Sequence, residues 1–594
     1  MKVLPAILFA LLAPAVHAAD ETEAASRTAA VFAESQHLAA AGAVDLALRL
    51  LGDAQPSHAE DPEGWRRYLD ARIDILLRGE RWSELASLLE SLPADLPLAE
   101  RRRADTLLAR AWLAQGEGER AVAILRSLIW SPEPKSDEEL RLWRRQLIRA
   151  WEAADRLDAA RTAIQRFQQD YRDDSRDWSL ERARLALRTM APEEALGLLE
   201  DVEGVEADVL RLIAGLWSGR KTPAAVVERA VKLGVDKDVP AALRRDAWAI
   251  AAEAADMLDN REARIAALER GLVVEGGAGA PTIVPLGADQ LWDAYLAFGK
   301  ELGNRLQLIV GDDESWFVAA SNRYDAHPIH ARALFAVVAE NALRVEQQAV
   351  AHWQLASLLA NIPQGGRLMR ALYLDSKRFP SPGDVPPAVR YLLLEDLLAA
   401  NEIPLASQLL VGLDEPPEQT DPAEWQLRRA RVLLLGGKID EGIAALGQLF
   451  ALEDFDRDRA LQVVFDLQTL ERHEAALGFL ERLRAEATDV QQARELWYWQ
   501  ADSLAALGRH AEAARAYLHS ATLADPNAAD PWAQTARFQA AEQLTKAALY
   551  GDARRQYRTL LNSTREAARQ AVLRNHLQQL RLLEQQAAEN GERN

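Results

Sequence analysis

The stretch WYWQADSLAALGRHAEAARAYLHSATLADP, residues 497–526, reads as two helices folded back on each other. Apolar and small residues fall at helical spacing on both sides of Leu507-Gly508-Arg509, and the glycine there punctuates the pattern. Ala513 follows Gly508 by five residues. A helical hairpin needs a small side chain where its two helices come closest, and Ala513 supplies it. Tyr517, four residues on, continues the same stripe.

The pattern recurs along the chain. GAVDLALRLL (42–51), GEGERAVAIL (116–125), DRLDAARTAI (155–164), GKIDEGIAAL (437–446), ERHEAALGFL (471–480) and GRHAEAARAY (508–517) share one layout. Aligned on the residue five after the turn, the anchors are Ala47, Leu85, Ala121, Ala160, Ala195, Ala263, Ala406, Gly442, Ala476, Ala513 and Ala553. Neighbours lie 38, 36, 39 and 35 apart in the first half and 36, 34, 37 and 40 apart in the second. The two wider gaps, 68 and 143, are near two and four times 36. Four residues after the anchor stand Leu51, Leu89, Leu125, Ile164, Leu199, Leu410, Leu446, Leu480, Tyr517 and Tyr557. Seven after stand Leu92, Leu128, Phe167, Val202, Leu413, Leu449, Leu483 and Leu560. Paired alternating runs around Asn-Gly or Asp-Gly turns are absent, so the chain reads as all-α.

These residues resemble the tetratricopeptide repeat family. Trp497, Ala501, Leu504, Leu507, Gly508, Ala513, Tyr517 and Pro526 match its signature positions, with one extra residue before the proline. Elsewhere the match loosens: Trp143 and Trp425 fall one place early, Leu85 replaces the small anchor, and most units lack the closing proline. The resemblance implies an α-solenoid, a superhelix of stacked antiparallel hairpins, whose first helices line a concave, protein-binding face.

Segments 20–270 and 388–561 are expected to be repeat solenoids, joined by an irregular helical segment over 271–387. GLVVEGGAGAPTIVPLGA (271–288) and RFPSPGDVPP (378–387) break the pattern on either side. Residues 562–594 read as a polar capping helix and tail. The length of 594 residues excludes one ordinary core, and 49% hydrophobic with 27% charged residues excludes a disordered chain. A net charge of −20 argues against nucleic acid. With no cysteine, disulfides and thiol chemistry are excluded.

Met1-Lys2, the apolar run Val3–Val16 and the small residues before Asp20 predict a Sec-type signal peptide over 1–19. The apolar run is too short for a span, and no later stretch approaches one, so no stable membrane insertion is expected. Arginine at 61 against 9 lysines, with abundant alanine, suggests a GC-rich bacterial genome, and hence the periplasm.

Three chemistries suggest themselves. Glu314-Ser315-Trp316-Phe317 looks like the start of a lytic transglycosylase motif, whose Glu is the general acid. The second serine of that motif is misplaced and its Gly-Leu-Met-Gln run is missing, so no catalytic residue is expected. His327 and His330 with Asp325 could seed a metal site, but Pro328 divides them and no third ligand is spaced to complete it. No metal and no cofactor are expected. Gly436-Gly437-Lys438 lacks the companions of a phosphate loop and reads as the repeat turn, and Ser218-Gly219-Arg220-Lys221 has the serine–lysine spacing of penicillin-binding enzymes but none of their companion motifs. The 16 tryptophans are the better lead. Many sit on first helices, and Trp497, Tyr498, Trp499, Trp425 and Tyr517 are the candidate binding residues. Spacing within one helix sends the Trp497 and Trp499 rings to different sides, leaving one partly exposed. A polypeptide held by the C-terminal repeats is the expected partner, within a cell-envelope assembly. A wall-acting protein using Glu314 and a glycan-binding solenoid near peptidoglycan or polysaccharide are the alternatives.

Overall fold

A computed structural model of the chain describes residues 29–274, 282–417, 419–523, 525–526 and 528–591. The signal-peptide segment and 275–281 of the first linker lie outside the described residues. Every regular element among the described residues is helical, with no strand.

One turn builds the repeats. Gly508 adopts φ +75°, its N–H donates to the Ala505 carbonyl at 3.1 Å, and the Arg509 N–H reaches back to Leu504 at 2.9 Å. This left-handed cap satisfies the carbonyls that end one helix and reverses the chain into the next. The same backbone recurs at Gly42, Glu80, Gly116, Asp155, Met190, Asn401, Gly437 and Glu471, and again at Ala548. In every one of these hairpins the anchor stands five residues later and is buried. At Gly442 the reason for a small residue is explicit: an added Cβ would stand 2.7 Å from the Leu434 side chain. The stripe four and seven residues on is likewise buried, except for half-buried Leu92.

The anchor assigned to Ala263 is a correction. Its turn residue is Asp259, only four positions earlier, and Ala263 is half-buried. Ile265, fully buried, takes the seam instead. The gap after Ala195 holds a further hairpin, Val205–Trp217 with Pro223–Val235, whose longer turn leaves Val226 and Ala230 at the contact.

The chain divides into two compact units, the first ending at Ile250 and including 282–284, the second beginning at Ala251. The division falls inside the helix Ala241–Met257 rather than in the glycine-rich linker, so the irregular segment and the C-terminal repeats share one unit. In the first unit, Asp246 accepts from the Ile283 N–H at 2.8 Å and ties the linker end to that helix. In the second, hairpins run from Pro387–Ala399 through Tyr550–Ser563, and the helix Ala567–Gly591 closes the stack. Leu573 and Leu580 of that helix pack with Tyr557 and Leu560.

The helices between the two proline- and glycine-rich breaks are held differently. The Glu269 carboxylate accepts from Arg332 Nη2 at 2.8 and 2.9 Å and from the Tyr295 hydroxyl at 2.5 Å, all three groups being buried. Trp292, His352, Tyr373 and Phe379 form a ring cluster beside them. Gly311 repeats the left-handed turn here, with Trp316 where an anchor would be. A Cβ on Gly303 would come within 2.4 Å of that indole, so the glycine makes room for it.

Candidate binding surface

The helix Val490–Ala506 begins where the Asp489 side chain accepts from the Gln492 N–H at 2.9 Å. Of its buried residues, Ala501 packs in the hairpin seam with Ala513 and Tyr517, while Gln500 and Ser503 accept from Arg484 and Gln468 of the preceding hairpin. Glu495, Tyr498, Trp499 and Asp502 recur at intervals of three or four and share one face, whose Tyr498 and Asp502 also touch Tyr517. All four are half-buried.

Trp497 and Trp499 point to different sides, as their spacing requires. The Trp497 ring stacks on His519 at 4.6 Å, and the Arg484 guanidinium lies 3.9 Å from its centroid. These contacts bind neighbouring second helices together and make Trp497 part of the packing. The cleft beside it, ≈ 360 Å³, mixes Glu474, Glu481 and Glu512 with Arg484, Arg509 and Arg515, so neither sign of charge prevails.

Trp499 meets Phe465, on the preceding first helix Arg457–Thr469, edge-on at 4.9 Å. Tyr498 lies 5.4 Å from Trp499 and 5.2 Å from Trp532, which starts the next first helix, Pro531–Lys546. Phe465, Trp499, Tyr498 and Trp532 thus form one aromatic row across three successive first helices, every ring half-buried. Phe465 and Trp532 were not among the sequence candidates. They come from other helices, at repeat positions different from that of Trp499, and only stacking brings them into line.

Burial assigns two candidates to the interior. Tyr517 is 1% exposed, and its hydroxyl donates to Asp502. Trp425 is 3% exposed and packs edge-on to Tyr391 at 5.3 Å. Neither offers a contact surface; each fills the space between helices. Burial, and then Asp502, raises the pKa of the Tyr498 hydroxyl, and burial with the Asp502 hydrogen bond does the same for Tyr517.

The other lines of chemistry find little support. Glu314 is exposed in the first turn of the nine-residue helix Asp313–Ser321, while Asp312 accepts from the Ser315 N–H and hydroxyl at 3.2 and 2.6 Å. The His327 and His330 rings stack at 4.8 Å, and His330 Nε2 stands 3.4 Å from Glu262. Among the described residues no group of three or more metal-ligating side chains converges. Gly437 and Gly219 both adopt the left-handed conformation of hairpin turns.

No family model and no curated protein matches the chain. Similar solved structures include the Cut9–Hcn1 hetero-tetramer of the APC/C, at 12% identity over 93% of this chain and 97% of that one, with a TM-score of 0.28. Yeast Tom70 is 11% identical over 82% of this chain and 97% of its own, with a TM-score of 0.21. A circular tandem repeat protein is 15% identical over 95% and 99%, with a TM-score of 0.09. All three TM-scores lie below 0.5, and the repeat architecture rests on this chain's own turns and seams.

Proposed function

We propose that this chain is a polypeptide-binding scaffold, a tetratricopeptide-like array whose C-terminal first helices hold a segment of a partner protein. The observation that carries the reading is the aromatic row Phe465–Trp499–Tyr498–Trp532. Four large rings stay half-buried on one side of helices whose other side is fully packed, and half-buried aromatic rings are typical anchors of binding sites. The predicted signal peptide supports a periplasmic address, and we place the scaffold in an envelope assembly close to peptidoglycan or polysaccharide. No catalytic role is proposed, since the one candidate acid, Glu314, stands exposed and alone.

Capture from periplasmic extract with the tagged full chain tests this reading. The expected result is a co-purifying protein that is lost with Trp499→Ala at an unchanged thermal midpoint. Retention of the same protein by that variant and by Tyr498→Ala would count against the surface. The first residue of the secreted chain, expected near 19 or 20, checks the address. Activity of the parent on purified peptidoglycan, absent from Glu314→Gln, would favour the wall-acting alternative.

A further inference from the structure

Several carboxylates on the first helices of the C-terminal hairpins are matched to an arginine on an adjoining first helix. Arg428 meets Glu395 at 2.7 Å, Arg459 meets Glu424, Arg431 meets Asp466 at 3.3 Å, and Arg494 meets Asp530, the N-cap of Pro531–Lys546, at 3.0 Å. The carboxylates that flank Tyr498 and Trp499 have no such match. Asp502, one turn after Tyr498 and Trp499 on the same helix face, accepts from the Tyr517 hydroxyl and has no cation within 4.0 Å among the described residues. Glu542, on the next first helix, is likewise without a cationic partner there, although Lys546 stands one turn away. Glu495, one turn before Tyr498, is bonded only by Gln491 at 2.9 Å. Asp502 and Glu495 thus flank the two rings, one turn to either side on the same helix.

Ring faces carry negative potential, and a cation resting on them beside carboxylates gains from both. The Tyr498 hydroxyl and the Trp499 indole N–H have no acceptor among the described residues, which leaves donors for the carbonyls of an incoming backbone. An acidic segment would meet uncompensated like charge, and a second copy of this chain brings −20 of its own.

Resting on the scaffold reading, we propose that the Tyr498–Trp499 surface is a seat for a cationic side chain, arginine or lysine, of the bound polypeptide, with Asp502 and Glu495 as its counter-charges. The rings of Phe465 and Trp532 extend the seat along the partner's backbone. This reverses the arrangement at Glu395, Glu424 and Asp466, where the protein supplies its own arginine.

Calorimetric titration of the full chain with acetyl-Ala-Arg-Ala-Arg-Ala-amide tests the seat, with the same peptide carrying glutamate in place of arginine as the control. The arginine peptide is expected to bind and the glutamate peptide not to. Asp502→Asn combined with Glu495→Gln should weaken the arginine peptide about tenfold or more, and raising the salt should weaken it further in the parent. Asn at 502 still accepts the Tyr517 hydroxyl; should the pair nevertheless unfold, Glu495→Gln alone makes the comparison without touching that bond. Equal affinity for the two peptides, binding of neither, or an unchanged affinity in the folded variants would overturn the proposal. Failure here with a captured partner still lost on Trp499→Ala removes the cation seat and leaves the scaffold; no captured partner at all removes the scaffold itself.

Discussion

The hairpins between Pro422 and Ser563 and the helices between Arg261 and Leu374 belong to one compact unit, yet they are held by different means. In the former, alanine or glycine anchors and leucine or tyrosine stripes close each seam, and the buried guanidiniums of Arg429, Arg494 and Arg537 bond carbonyls or carboxylates of neighbouring segments. In the latter, a buried carboxylate, guanidinium and phenol share hydrogen bonds, and three rings crowd around Trp292. A repeat seam tolerates changes on its open faces, because each hairpin contacts mainly its neighbours. A buried ionic cluster fixes one arrangement and suffers badly if a member is removed.

The largest effect should come from breaking the cluster. Glu269→Ala leaves the Arg332 guanidinium buried without its counter-charge and is expected to cost about 3–5 kcal/mol, measured by denaturant unfolding. The double variant Glu269→Leu/Arg332→Met should recover much of that loss.

Acid should distinguish the regions next. Burial lowers the His352 pKa from 6.5 to about 4, so the folded state holds the ring neutral while the unfolded chain takes up a proton. Stability from this group is full above pH 6.5 and falls as pH drops toward 4, by about 3 kcal/mol in all. Glu152 and Asp246, raised by burial to about 7 and about 6, act in the opposite direction, since their folded forms favour the proton. The clean readout is therefore the difference between parent and His352→Gln across that range, with the variant losing less.

Within the repeats, Ala513→Trp should overpack a seam residue that is 0% exposed and cost about 1–3 kcal/mol. A neutral result there and at Ala476 would break the seam description. The smallest effect is a gain. Glu471 and Ala548 hold φ +59° at the turn, a conformation that costs an L-residue about 1–2 kcal/mol. Glycine at either should stabilise by about 0.5–1 kcal/mol after the flexibility it adds to the unfolded chain, seen as a raised thermal midpoint.

Much of this was legible before any coordinates. Ala513 and Gly442 could be recognised because closest approach demands a small residue, whatever the rest of the helix carries. Ala263 misled because local spacing near Asn260 mimics the motif while the turn is displaced by one residue. The hairpin ending in Trp316 was hidden for the opposite reason: the turn is the same, but an indole fills the anchor position and a distant glycine, Gly303, makes room. Among the candidate contacts, the opposite facing of Trp497 and Trp499 followed from helix geometry alone. Tyr517 belonged to the buried stripe by the same arithmetic, and its burial is consistent with that. Phe465 and Trp532 were beyond reach, because nothing within one helix states which residue of the next will stand beside it.

The central claim is that a partner lies along the C-terminal first helices. Hydrogen exchange of the full chain, alone and with the captured partner, tests it most directly. The expected result is slowed exchange concentrated in 457–469, 490–506 and 531–546, with 305–345 unchanged. Protection confined to 305–345, where Leu306, Ile309, Val310, Leu343 and Val345 are exposed, would contradict it.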